Sequence, residues 1–407
     1  FNDLKQYKLA NGNQRSWNRV SWDDGTPAYS DNPYWIINEN VSNDLRNRFY
    51  GNLSLTYNIT PELYVVGNAY GDTYSFNINE RVAKGSQAES AYSTITRTLT
   101  DFNYEGRLHF DKKFEKISLN TFVGANKRSY KYGSVSGTTV GGLVLPNQYN
   151  LSNSASTARA SNYEEKTLTN SVYGFASLGY DGLVFVEGTH RKDWFSTVSK
   201  PVGYSSVTGS LIFSQLVDAS WLNFGKIRGG WAQAGNATVP FNLINNADVG
   251  APFYGDPSYS NPNSSKNANL VPELKTTTEV GLEMSMFDRR FGFDVTLYRS
   301  ITDDLITPVQ GEASTGFTSF FANAGQLENK GIEVTLNVNP VRTEDFNWDI
   351  TWNFAKNKNE LLELYDGVES LTLANAPFRA TLIAVVGQPY GQIYGTDFTY
   401  DANGNKI

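Results

Sequence analysis

Apolar and polar residues alternate with a period of two over unusually long runs. This limits the chain to β structure whose two faces meet different surroundings. From Arg48 to Thr60, one face carries Phe49, Gly51, Leu53, Leu55, Tyr57 and Ile59, and the other carries Tyr50, Asn52, Ser54, Thr56 and Asn58. Thr60-Pro61-Glu62 breaks the run, and Leu63, Val65, Gly67 and Ala69 resume it. Further on, Phe102, Tyr104, Gly106, Leu108 and Phe110 alternate with Asn103, Glu105, Arg107 and His109. The charged turn Asp111-Lys112-Lys113 then leads into Ile117, Leu119, Thr121 and Val123. A helix built on this period would scatter its apolar groups around the whole cylinder. These segments are strands.

The pattern predicts about twelve of them, near 48–59, 63–75, 98–110, 116–130, 168–180, 183–194, 206–217, 224–234, 274–286, 291–303, 326–340 and 347–357. Short turns are expected near 60–62, 111–115, 181–182, 218–223, 287–290 and 341–346. Longer polar connections are expected near 76–97, 131–167, 195–205, 235–273 and 304–325. Strands of ~10 residues, with short turns at one end and long loops at the other, describe an antiparallel transmembrane β-barrel. Soluble sandwiches use shorter strands without that asymmetry. A propeller would repeat every ~40–45 residues, and no such repeat is present. No apolar run approaches the ~18 residues of a membrane helix; Thr381 to Val386 is typical of the best.

The 24 Phe, 24 Tyr and 8 Trp fit the same reading, because many lie near expected strand ends. Phe49, Tyr57, Phe110, Tyr180, Trp194, Phe224, Phe287, Phe291 and Trp348 are placed to form interfacial girdles. With 34 Lys and Arg against 41 Asp and Glu, the net charge is −7, which counts against a nucleic-acid partner. The absence of cysteine removes disulfides, thiolate metal sites and a cysteine nucleophile. His109 and His190 are the only histidines and are far apart in sequence, so neither a histidine metal site nor a histidine-based triad is expected, and no cofactor is implied. Asp23-Asp24 and Asp303-Asp304 read as ordinary solvated charge in polar segments and at a strand end, since hydrolytic carboxylate pairs must face each other across a cleft.

Seven motifs carry a family resemblance. They are Asn32-Pro33-Tyr34-Trp35 with Asn38-Glu39-Asn40; Arg191-Lys192-Asp193-Trp194-Phe195-Ser196-Thr197; and Leu222-Asn223-Phe224-Gly225-Lys226-Ile227-Arg228 with Gln233-Ala234-Gly235-Asn236. Next come Leu270-Val271-Pro272-Glu273 and Asn329-Lys330-Gly331-Ile332-Glu333. Last are Trp352-Asn353-Phe354-Ala355-Lys356-Asn357-Lys358-Asn359 and Gly387-Gln388-Pro389-Tyr390-Gly391. In this order the chain resembles the SusC/RagA-like branch of TonB-dependent outer-membrane transporters. Lys192 and Phe195 depart from that branch's usual residues.

The resemblance implies a 22-stranded barrel closed by a plug, with long extracellular loops and short periplasmic turns. On this reading residues 1–407 are the middle of one barrel domain, with a possible thirteenth strand after Tyr390, and the plug and final strands lie outside this chain. It further implies import of an oligomeric nutrient, a glycan or a peptide, without covalent chemistry. The expected partners are a TonB complex, a SusD-like surface lipoprotein acting as a lid, and outer-membrane lipid. A siderophore or cobalamin receptor of the same superfamily, or a surface adhesin or secretion-system β protein, is the alternative. Trp17, Trp22 and Tyr254, in expected loops, are the candidates for contact with substrate or lid, because aromatic faces stack on sugars and apolar groups. Trp35, inside a motif, reads as architecture. Glu105, Arg107 and His109 share a polar face and are expected to pair with a plug or with one another.

Overall fold

The computed structural model describes residues 2–250, 252–365, 367–377 and 380–406. Phe1 and Ile407 lie outside them. Twelve strands form one sheet: β1 (Ser42–Asn58), β2 (Leu63–Val82), β3 (Ala91–Phe114), β4 (Ile117–Leu143), β5 (Ser154–Tyr180), β6 (Val184–Phe195), β7 (Val202–Leu211), β8 (Leu222–Asn236), β9 (Glu273–Met286), β10 (Phe291–Asp303), β11 (Gln326–Arg342) and β12 (Asn347–Glu363). Their order in the sheet is their order in the chain, so no connection crosses over. Every pairing with a resolved register, from β5 through β12, is antiparallel.

The chain divides into two compact units, and the division runs across β1 to β5. The first comprises residues 1–53, 68–104 and 128–168, and the second comprises 54–67, 105–127 and 169–407. In the first unit, helix α1 (Pro33–Glu39) is seated by Asn32 and Trp35. Asn32 is fully buried. Its side chain caps the helix by accepting from the Tyr34 amide at 2.9 Å, and donates to the Leu4 and Arg15 carbonyls at 3.0 and 2.8 Å. Trp35 is 1% exposed and donates from Nε1 to Ser86 Oγ at 2.8 Å. Asn40 completes the joint, accepting from the Ala83 amide and the Ser86 hydroxyl. The first motif is therefore architectural, as expected of Trp35.

In the second unit the strand registers assign the two faces. Residues directly opposite one another share a face. One face carries Val172, Leu178, Val186, Val207, Ile227, Val280, Leu282, Val295, Leu297, Ile332, Val334, Trp352 and Phe354. Many of these large side chains are exposed, Leu297 and Trp352 by half their area. The other face carries Ser171, Tyr173, Arg191, Asp193, Tyr204, Arg228, Asp294, Thr296, Glu333 and Asn357. Exposed apolar surface this extensive, alternating with polar residues on long strands, marks a lipid-facing wall. Leu53, Leu55 and Val65 are exposed and Ala69 is half-buried, whereas Val66 and Asn68 on the opposite side of β2 are buried.

Several connections differ from the expectation. β4 and β5 are 27 residues each, so the expected loop 131–167 shrinks to 144–153, and 76–97 shrinks to 83–90. A membrane strand needs only ~9–11 residues. The extra length lies beyond the lipid, where neither face has to be apolar and the alternation fades. The connection 196–201 is shorter than 212–221, reversing the expected long and short there. The segments 237–272 and 304–325 remain long, with short strands Ile306–Gln310 and Ser319–Asn323 pairing inside the latter. The expected thirteenth wall strand is not formed among the described residues. Ser370–Asn375, Thr381–Val385 and Gln392–Tyr394 instead make a separate three-stranded sheet. It packs through Leu361, Leu364 and Ala384, which are buried together.

Candidate functional site: the polar face and the loops

The polar face of the second unit is built from ion pairs and tyrosines. Arg191 donates to Asp193 at 2.8 Å and to Ser171 Oγ at 2.7 Å, and Tyr204 also donates to Asp193. Asp193 is thereby held in a site only 3% exposed. Tyr173 donates to Glu105, which pairs with Arg107 at 3.5 Å. His109 stacks on Tyr64 at 4.8 Å and lies 4.9 Å from Phe122. Glu105 and Arg107 thus pair with each other, one of the two arrangements expected, whereas His109 packs on aromatic rings instead. Further along, Arg228 grips Asp294 with two hydrogen bonds of 2.9 and 2.7 Å and adds a third to Thr296. Bidentate geometry of this kind fixes an arginine in place.

Glycines make room for these side chains. Gly281 sits directly opposite Arg228, and a Cβ there would lie 2.7 Å from the guanidinium. Gly331 sits between Tyr298 and Asn357, and the Tyr298 hydroxyl crosses over it to donate to Asn357 at 3.0 Å. A Cβ on Gly331 would meet the Lys356 carbonyl at 2.4 Å and the Tyr298 hydroxyl at 2.7 Å. The glycine of the Asn329–Glu333 motif is a passage for an aromatic side chain.

The Leu270–Glu273 motif ties loops to the strand ends. Leu270 is fully buried, and its carbonyl accepts from both the amide and the hydroxyl of Ser199. Asn323 accepts from the Val271 amide and donates to the Val271 and Asp304 carbonyls. Glu273 accepts from the Ile306 amide at 2.8 Å. The last motif docks similarly, with Asn359 accepting from the Tyr390 amide at 3.0 Å.

The three aromatic candidates project from loops. Trp17 is 65% exposed, beside a recess of about 390 Å³ that it shares with Leu4, Leu9 and Arg19. Trp22 is 86% exposed, and its carbonyl accepts from Arg19. Tyr254 is 94% exposed and packs edge-on against Phe253 at 4.7 Å. Its φ of 49° is a left-handed conformation uncommon for a bulky residue. The two tryptophans lie on the first unit and Tyr254 on the second. Asp23 and Asp24 are exposed, as expected of solvated charge. The Ser21 hydroxyl holds the Asp23 carboxyl below the usual range, and Thr26 does the same for Asp24. Sequence reasoning did not single out Asp193, Tyr204, Arg228 or Asp294 as partners, because the registers that join them are not visible in one chain's spacing.

A sheet with one apolar exposed face and one ion-paired polar face is the wall of a membrane β-barrel. The chain belongs to the family described as TonB dependent receptor-like, beta-barrel, which matches residues 2–406. It is a barrel of the Gram-negative outer membrane, and the proteins it resembles include SusC and RagAB. It is 26% identical over 395 residues to TonB-dependent receptor P3 of Formosa agariphila, covering 90% of this chain and 38% of that protein. It is 32% identical over 208 residues to TonB-dependent receptor SusC of Bacteroides thetaiotaomicron, covering 47% of this chain and 21% of that one. Among solved structures it resembles the RagAB peptide transporter, with a TM-score of 0.81 at 18% identity, over 98% of this chain and 46% of that chain. The chain thus spans less than half the length of the relatives it matches.

Proposed function

We propose that the protein containing this chain imports an oligomeric nutrient across the outer membrane, drawing energy through a TonB complex. A SusD-like surface lipoprotein closes over the loop side as a lid, and the cargo is a glycan. Residues 1–407 contribute part of one barrel domain, whose plug and remaining strands belong to the rest of the protein. The observation that carries this reading is the polar face of β5 to β12, lined with fixed ion pairs and hydroxyls opposite a lipid-type face. Such a face suits the water-filled or plugged interior of a barrel. Trp17, Trp22 and Tyr254 are the proposed contacts to substrate or lid. A peptide is the second reading, since RagAB is described as a peptide transporter.

Uptake of candidate oligosaccharides and peptides, measured in a deletion strain complemented with the full-length gene, tests the function. The expected result is loss of one oligomer's uptake on deletion and its return on complementation. Unimpaired oligomer uptake together with lost ferric-siderophore uptake would move the protein to the metal-chelate class.

Orientation is tested separately, because the chain has no cysteine of its own. We place 144–153 and 237–272 at the cell surface and the 115–116 turn in the periplasm. Gln148→Cys should label with a membrane-impermeant maleimide on intact cells, and Lys113→Cys should not. The reverse pattern would invert the wall.

A further inference from the structure

The lipid-type face is not apolar along its whole height. Register places Trp231, Thr278, Arg299, Lys330 and Lys358 side by side across β8 to β12. Lys356 lies one position nearer the 343–346 turn, opposite Ile332. Neighbouring strands are only ~4.8 Å apart, so four cationic side chains gather over roughly three strands. Glu328, with a side chain 5% exposed, bonds both Arg299 and Lys330, the latter at 2.6 Å. Glu360 pairs with Lys358 at 3.0 Å. Lys356 makes no ion pair among the described residues. Four cations against two carboxylates leave an excess of two positive charges on a face that otherwise meets lipid.

A groove of about 770 Å³ lies at this cluster, floored by Val280, Leu297 and Ile332 and edged by Arg299, Lys330 and Lys356. A lipid-facing lysine or arginine is costly at the bilayer midplane and nearly free at the interface. The cluster therefore sits at the interface, its aliphatic stems lying along the apolar wall and its charges reaching the headgroups. It lies at the strand ends that carry 237–272 and 304–325, away from the 287–290 and 343–346 turns.

We propose that this groove binds a phosphorylated acyl glycolipid of the outer leaflet. Its phosphate sits between Lys356, Lys358 and Arg299, and an acyl chain lies along Val280, Leu297 and Ile332. Charge complementarity selects the occupant: an apolar floor takes a hydrocarbon chain, and the uncompensated cations take a phosphate at its end. The proposal rests on the orientation given above, which puts the loops outside. It does not depend on what the barrel imports.

The test uses full-length protein in nanodiscs, with binding of bis-phosphorylated lipid A measured against its dephosphorylated form and against phosphatidylglycerol. The wild type should favour the phosphorylated glycolipid over both. Surface lysines contribute about 1 kcal/mol each to anionic lipid. The double variant Lys356→Gln with Lys358→Gln should therefore bind it roughly thirtyfold more weakly. Lys356→Arg with Lys358→Arg should restore binding, and Lys226→Gln, on the opposite face, should leave it unchanged. Nutrient uptake by the double glutamine variant should stay at the wild-type level, which separates loss of this site from failure of the import reading. Undiminished lipid A binding by that variant would overturn the site, and a preference for phosphatidylglycerol would overturn the occupant.

Discussion

Val334→Arg is expected to destabilise the folded barrel by ~2–4 kcal/mol, while Thr335→Arg, one residue along β11, should cost far less. Val334 lies on the apolar face between Val295 and Phe354, roughly midway between the cationic cluster and the aromatic residues Phe291 and Trp348. Its arginine would have to leave water for hydrocarbon. Thr335 points to the opposite face, directly across from Asp294, and makes one hydrogen bond to Asn353 at 3.0 Å. An arginine there gains a carboxylate neighbour and loses only that bond. The measurement is equilibrium unfolding of full-length protein in lipid vesicles against denaturant. Equal costs at the two positions would mean that the faces are misassigned.

The largest effect in the first unit is expected from Trp35→Ala, at ~3–5 kcal/mol of local stability. The indole is 1% exposed and meets Tyr7 edge-on at 6.3 Å, with the Lys8 ammonium 5.6 Å from the ring. Its Nε1–H bond to Ser86 is the link to the 83–90 connection. Removing the ring leaves a cavity and takes the indole hydrogen bond from Ser86, which keeps only the one it donates to Asn40. Amide hydrogen exchange should accelerate in 4–15 and 83–90 and remain unchanged around Leu361. Trp35→Phe keeps the ring's bulk and loses the hydrogen bond, so it should give a smaller change of ~1 kcal/mol. Protection of 83–90 that survives Trp35→Ala would show that Asn32 and Asn40 hold the joint without the indole.

Strands were readable from sequence where the surroundings differ between the two faces. Leu53 to Ile59 and Leu63 to Ala69 announce themselves because lipid demands an apolar residue at every second position. The upper parts of β2 to β5 did not. Ser134-Val135-Ser136-Gly137-Thr138-Thr139 and Ser154 to Ser161 read as loops because water on both faces removes the alternation while the strand hydrogen bonding continues. Aromatic placement was only partly legible: Tyr180, Trp194, Phe291 and Trp348 lie on the lipid-type face, whereas Phe224 pairs with Ser285 on the polar face. The motifs marked the Arg191–Asp193 segment and Gly331, but their reasons lie in neighbours across the sheet. Asp193 needs Tyr204 from β7, and Gly331 needs Tyr298 from β10. The cationic row of Arg299, Lys330 and Lys358 is likewise a property of register, assembled from three strands that are each unremarkable alone.

The sheet order that follows chain order also sets the kinetics of assembly. Each strand's next partner is usually the following one, so the wall can grow by hairpin addition with little chain to organise at each step. The junctions of β8 with β9 and of β10 with β11 are exceptions, and the first is the larger, because 237–272 must be looped out before Gln233 can meet Thr276. Relative to a turn such as 287–290, that is about three doublings of loop length at ~0.6 kcal/mol each, or ~2 kcal/mol of closure entropy. Leu270, fully buried with its carbonyl bonded to the amide and hydroxyl of Ser199, ties the far end of that long segment back to the 196–201 connection once the junction has closed.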